Sequence, residues 1–187
     1  TPLNAVELLV SMVNPMPGER VIDPACGSGG FLSAVARRWV AQGIDRSLAA
    51  GAIFGIDKDR YLAGLSAAHL SFVTLTSSNV FCADSLSWTA ENGQPFALQD
   101  QFETFDVVLT NPPFGAKIVA ASDRVKQAFD LAHRWKVDRA TSQYVRQPKL
   151  QTSVPPQVLF IERCLSLVRS GGRIGIVVPE SLVSGKN

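Results

Sequence analysis

Cysteine and histidine are scarce, with three cysteines and two histidines in 187 residues. Cys26, Cys82 and Cys164 stand far apart among apolar neighbours with no CxxC pair, and His69 and His133 are isolated. Neither a disulfide framework nor a metal site is therefore expected, and the thiols read as buried and free in a reducing cytoplasm. Long apolar runs are also missing: none approaches the roughly 18 residues of a membrane span, and no charged-then-apolar signal segment opens the chain. Charge of one sign is nearly absent. The 18 Lys and Arg against 16 Asp and Glu leave a net +2. That excludes a histone-like tail or a polybasic anchor, and alone says nothing in favour of nucleic acid.

What is present is apolar patterning, at 46% hydrophobic residues. A chain of this length suits one domain burying about 70% of its unfolded surface. Five short runs read as strands apolar on both faces: Arg20–Ile22, Ala52–Ile56, Asn79–Cys82, Phe105–Leu109 and Arg173–Val178. Such runs suit a parallel sheet covered on both sides. Helical spacing lies between them, at Leu3–Val13 (with Thr1 as its N-cap and Pro2 at its first position), Gly30–Gln42, Asp59–Leu70 and Gln157–Arg169. This alternation gives the expected fold class, an α/β, doubly wound, mostly parallel Rossmann-like sheet. The chain starts at Thr1 without Met and stops just after a new element begins, so it reads as cut from something longer, truncated after the fifth strand. One stretch breaks the alternation. Lys117–Lys149 lacks strand patterning, and Val125, Phe129, Ala132 and Trp135 suit one amphipathic helix. It carries eight basic and three acidic residues, a local +5 on a body of −3. An ordinary solvated surface and a polyanion contact explain that charge equally well.

Chemistry concentrates at the strand ends. After the first strand, Asp23-Pro24-Ala25-Cys26-Gly27-Ser28-Gly29-Gly30-Phe31 puts an acidic residue before a glycine turn that opens a helix. Glycines there permit positive φ and close ligand approach, and the helix start offers free N–H groups. The spacing departs from the dinucleotide pattern, with no glycine at position 32. Asp23 would repel a pyrophosphate but welcome an ammonium group. Asp57 ends the second strand, where a carboxylate can accept from both ribose hydroxyls, and Asp84 ends the third, beside the adenine pocket so defined. Either aspartate alone is more often a helix N-cap; three aspartates ending three successive strands describe a nucleoside pocket. The fourth strand runs into Thr110-Asn111-Pro112-Pro113-Phe114. Two prolines stop the strand and stiffen the turn. Asn111 Oδ1 and a proline carbonyl can accept from an amino group, and Phe114 offers a stacking face.

Asn111-Pro112-Pro113-Phe114 resembles the signature loop of S-adenosylmethionine-dependent N6-adenine DNA methyltransferases. The Asp23–Phe31 stretch resembles their cofactor loop, and Thr1-Pro2 the cofactor-contacting segment before it. Gln157–Arg163 and Gly171–Glu180 are similar to modification subunits of type I restriction-modification systems. The motif order matches the γ arrangement, with 26 residues between Asp84 and Asn111. The resemblance implies an adenine-specific DNA methyltransferase core with Asn111, Pro112, Pro113 and Phe114 as catalytic residues. It implies S-adenosyl-L-methionine held by Thr1, Pro2, Asp23, Ala25, Cys26, Gly27, Ser28, Gly29, Asp57 and Asp84. The partners implied are DNA presenting a flipped adenine and specificity and restriction subunits, with no membrane. On this reading residues 1–18 form the cofactor-contacting helix, 19–116 carry the motifs, 117–156 are a basic insertion or mobile loop, and 157–187 are the last helix and strand. Two alternatives stand beside it: transfer to another conjugated nitrogen, in a protein glutamine or an RNA base, and a non-catalytic DNA-binding scaffold.

Overall fold

The computed structural model describes residues 1–90, 96, 98, 100–114 and 122–184. Five parallel strands form the sheet: β1 (Val21–Asp23), β2 (Ile53–Asp57), β3 (Asn79–Asp84), β5 (Phe105–Thr110) and β8 (Val168–Ile176). The short β4 (Thr89–Ala90) adds an antiparallel edge, giving the order β4-β3-β2-β1-β5-β8. β1 is central: Val21 lies opposite Ile53 on one side and Val107 on the other. The strand order reverses between β1 and β5, and at that point a doubly wound sheet leaves a crevice beyond its carboxyl ends.

Alternation along the strands sends neighbouring residues to opposite faces. Val21, Val107 and Leu109 pack with Val6 and Val10 of α1 (Leu3–Val13), Phe31, Val35 and Trp39 of α2 (Gly30–Ala41), and Leu70 of α4 (Arg60–Thr74). Ile22 and Val108 turn the other way, onto Trp88, Phe96 and, from α6 (Pro156–Leu167), Cys164 and Leu167. The fold class read from the sequence is the one observed.

Several local expectations are corrected. Thr1 does not cap α1; Pro2 holds the N-cap position without a side-chain bond, and its carbonyl accepts from Ala5 and Val6. A helix not anticipated, α3 (Arg46–Ala52), is capped by Asp45, which accepts from Ser47 and Leu48, so β2 starts at Ile53 rather than Ala52. α6 ends at Leu167, where Val168 turns extended. β8 therefore begins five residues early, its register against β5 shifting between Phe105 and Val107 around the positive-φ Gly171.

The largest correction concerns the basic stretch. The single helix expected there is absent among the described residues; Lys117 lies outside them. Instead come α5 (Asp123–Lys126), a 3₁₀ turn at Asp130–Ala132, and an antiparallel hairpin of β6 (His133–Val137) and β7 (Tyr144–Leu150). Phe129 and Ala132 are buried with Val154 and Leu159, and beyond that anchor the β-favouring Trp135, Val137, Tyr144 and Val145 pair across two strands. Asp138 closes the tip, accepting from the Ala140 amide. The structure also pairs two of the basic residues, Lys126 with Asp123 and Arg146 with Asp130.

Candidate active site

The ends of β1, β2, β3 and β5 enclose a cavity of about 600 Å³. Of the anticipated residues, Ala25, Gly27, Asp57, Asp84, Asn111 and Pro113 line it; Thr1, Pro2, Asp23, Cys26, Ser28, Gly29, Pro112 and Phe114 do not. The turn after β1 is fixed by backbone and carboxylate together. Cys26 N–H donates to Ile56 O and Gly29 N–H to Cys26 O, while the Ser28 carbonyl meets the His69 ring at 2.8 Å. Gly27 N–H donates to Asp57 Oδ2 at 2.8 Å, and Asp57 Oδ1 accepts from Asp59 at 2.9 Å. Asp59, not Asp57, caps α4. Asp57 thus holds two loops at once and fixes where they meet.

Gly29 adopts φ +82°, and a Cβ there would lie 2.5 Å from Ser66 Oγ. Only glycine suits both the backbone and the packing. Asp23 is almost wholly buried behind the loop, Oδ1 accepting from Ala25 N–H at 3.0 Å. Burial pushes its carboxyl up to about 7; Thr110 and the Ala25 amide oppose the rise and the charge of Asp57 adds to it. Burial likewise raises the Cys26 thiol, so it is an inert packing group. Asp84 ends β3 with Oδ1 accepting from Leu86 at 2.9 Å.

Opposite this wall stands Asn111. Its Nδ2 donates to Thr1 Oγ1 at 2.8 Å, and its Oδ1, shielded from solvent, has no hydrogen-bond partner among the described residues. Orphaned buried acceptors are rare because they forfeit hydration without compensation. Seven other buried side-chain atoms among the described residues share that state, so what sets Asn111 apart is its place in the cavity wall beside Pro113. Phe114 is 39% exposed beyond the two prolines. Wall residues that the sequence reading did not single out include Leu62, Ser85, Ser122, Val125, Pro156 and Phe160. Pro156 and Phe160 come from α6, and no local signal marks a helix as forming one side of a distant pocket.

The model of the family described as N-6 DNA methylase matches residues 1–187. The chain belongs to that family. It is 24% identical over 191 residues to the type I restriction enzyme EcoEI methylase subunit of Escherichia coli, covering all of this chain and 33% of that protein. A solved structure of the type I R-M system superposes with a TM-score of 0.70 at 28% identity, covering 97% of this chain and 32% of that one. The type I restriction-modification methyltransferase subunit from Streptococcus thermophilus shares the fold, at TM-score 0.59 and 20% identity, over 100% of this chain and 36% of that one. The chain spans about a quarter to a third of the length of the curated relatives it matches. The fold is shared with a putative class I S-adenosylmethionine-dependent methyltransferase from Listeria monocytogenes, at TM-score 0.64 and 17% identity over 98% of this chain and 46% of that one. Among the described residues no helix is long and apolar enough to cross a membrane.

Proposed function

We propose that this chain is the catalytic core of an enzyme that methylates the exocyclic N6 of adenine in DNA, using S-adenosyl-L-methionine, within a restriction-modification system that includes specificity and restriction subunits. The observation that carries the reading is Asn111 at the cavity wall, held through its nitrogen by Thr1 and with a buried Oδ1 that has no hydrogen-bond partner among the described residues. It is an acceptor waiting for an amino group.

The residues of the cavity wall fit the cofactor. Asp57 and Asp84, carboxylates on a cavity lined also by the glycine turn, suit the ribose hydroxyls and the adenine amino group. The buried carboxyl of Asp23 gives the turn a latent negative charge to set against an ammonium group, and Thr1, Pro2, Cys26, Ser28 and Gly29 shape the surrounding backbone. When bound, S-adenosylmethionine supplies an electrophilic methyl group on a sulfonium. The N6 lone pair of adenine is delocalised into the ring and attacks poorly. Asn111 Oδ1 and the Pro112 carbonyl, accepting both N–H bonds, favour a pyramidal nitrogen and stabilise the charge that grows on it. Bound there, the cofactor would give its methyl to the amino nitrogen and be left as a neutral thioether, and the surplus amino proton would be released to water. Pro113 keeps the turn rigid. In duplex DNA the base must leave the stack, at a few kcal/mol. Stacking on Phe114, worth about 1–3 kcal/mol by analogy with single-strand binders, offsets this.

In the full-length protein, Asn111→Ala should lower labelled-methyl transfer to DNA by about 10²–10³-fold or more, with cofactor affinity by calorimetry nearly unchanged. Cofactor affinity lost together with activity would sink the assignment. Asp57→Ala should weaken cofactor binding first, because it removes a ligand and releases the Gly27 and Asp59 amides; normal binding would mean the pocket is misassigned.

A further inference from the structure

The hairpin of β6 and β7 is the part of the molecule that the cavity does not use. Residues 134–146 are all exposed. At about 3.4 Å per residue its five-residue first strand extends about 17 Å. Directly opposed pairs share a face, so Trp135 and Arg146 lie on one side with Val137 and Tyr144, and Lys136 and Val145 on the other. Asp130 secures the first face at its base, accepting from Trp135 Nε1 through its carbonyl and pairing with Arg146 at 2.7 Å. Arg134, Lys136, Arg139 and Lys149 make no ion pair among the described residues. Residues 133–150 hold five basic side chains and one acidic one, Asp138.

A two-stranded ribbon open on both faces is marginal alone in water and has unpaired edges. Its root lies in the cluster of Phe129, Ala132, Val154 and Leu159, to which Val125 and Leu150 are packed, and Val125 is also cavity wall. The arm therefore springs from the rim of the candidate active site. Beside its root is a shallow cleft where Arg134 and Lys136 meet the hydroxyl-bearing Thr152 and Ser153. Cations with hydroxyls suit phosphate oxygens. A protein-binding surface would share the arginines and exposed aromatics but be depleted in lysine and in charge at its centre.

We propose that the β6–β7 hairpin is a backbone-gripping arm that holds the phosphates of a nucleic-acid duplex while one base occupies the cavity; this rests on the methyltransferase reading. Arg134, Lys136 and Arg139 make the phosphate contacts, and Trp135, Val137 and Tyr144 stiffen the arm. In the full-length protein, the triple variant Arg134→Ala, Lys136→Ala, Arg139→Ala should reduce the slope of log affinity for duplex DNA against log salt by about 2–3. The KM for DNA should rise about tenfold or more, with cofactor affinity and kcat at saturating DNA unchanged. The charge-preserving Arg134→Lys with Lys136→Arg should keep the slope. If the triple variant loses cofactor affinity and is therefore misfolded, each single alanine variant should still lower the slope by about 1. An unchanged slope, or loss of a protein partner at unchanged DNA affinity, overturns the arm. Methyl transfer to DNA by the wild-type protein, measured alongside, reads the methyltransferase assignment separately, so the two can fail independently.

Discussion

Around the cavity, polar groups are committed before any ligand arrives. Both oxygens of Asp57 accept backbone N–H bonds, the Asp84 carboxylate closes a turn, and Asn111 is held through its nitrogen, its oxygen without a partner among the described residues. On the hairpin arm, four cations have no acidic partner among the described residues, and the apolar side chains Val137 and Tyr144 stand half or more in solvent. The difference separates two ways of recognising a ligand. A reacting centre needs atoms fixed to within fractions of an ångström, so the fold spends hydrogen bonds holding them there. A phosphate backbone is a repeating charge that tolerates slip, and mobile side chains in water serve it well.

Four substitutions bear on that contrast, from the largest effect to the smallest. Asp23→Asn should act most strongly, and through pH. Burial places the folded-state pKa near 7, above the ordinary 3.8, so the stability linked to this group is fully present below about pH 4 and is lost as pH rises through 7. At about 1.4 kcal/mol per pH unit the loss reaches up to about 4 kcal/mol. Urea midpoints at pH 5 and pH 8 should differ in the wild type by more than in the asparagine variant. Equal differences would mean Asp23 is ionised and stabilised in ways the buried geometry does not provide. Gly29→Ala should cost about 2–4 kcal/mol, from left-handed strain and the contact with Ser66. Gly27→Ala, at φ +52° with nothing within 4 Å of its added Cβ, should cost only about 1–2 kcal/mol. If thermal melts rank these two glycines the other way, packing against α4 is not what selects Gly29. Tyr144→Ser on the arm should change stability by less than about 0.5 kcal/mol, and a larger loss would show the arm to be packed rather than free.

The sheet was legible because its strands are short, apolar on both faces and separated by helices of regular spacing. Local arithmetic breaks down where distant residues decide. Val125, Phe129 and Ala132 do fall at helical spacing and do gather in one cluster, yet Trp135 belongs to a strand. Three anchors could not show that the chain would leave the helical path after Ala132. Thr1 illustrates the same point at the site. Its hydroxyl serves Asn111, 110 residues away, rather than the helix beside it. That a carboxylate ends each of three strands was visible in sequence; that Asp23 lies behind the cavity wall while Asp57 and Asp84 face the cavity depends on how the glycine turn folds over β1.

The position of β1 carries a consequence for synthesis. Its first edge is covered by β2, about thirty residues on in the chain, but its second edge waits for β5. A nascent chain that has produced α1 to β4 therefore holds most of the cavity's acidic wall with one edge of its central strand still bare. Such an edge is a template for pairing with the wrong strand. The segment that closes it, Phe105–Thr110, leads directly into Asn111. The strand that protects β1 thus leads straight into the key amide, and chains stalled before Phe105 gain neither.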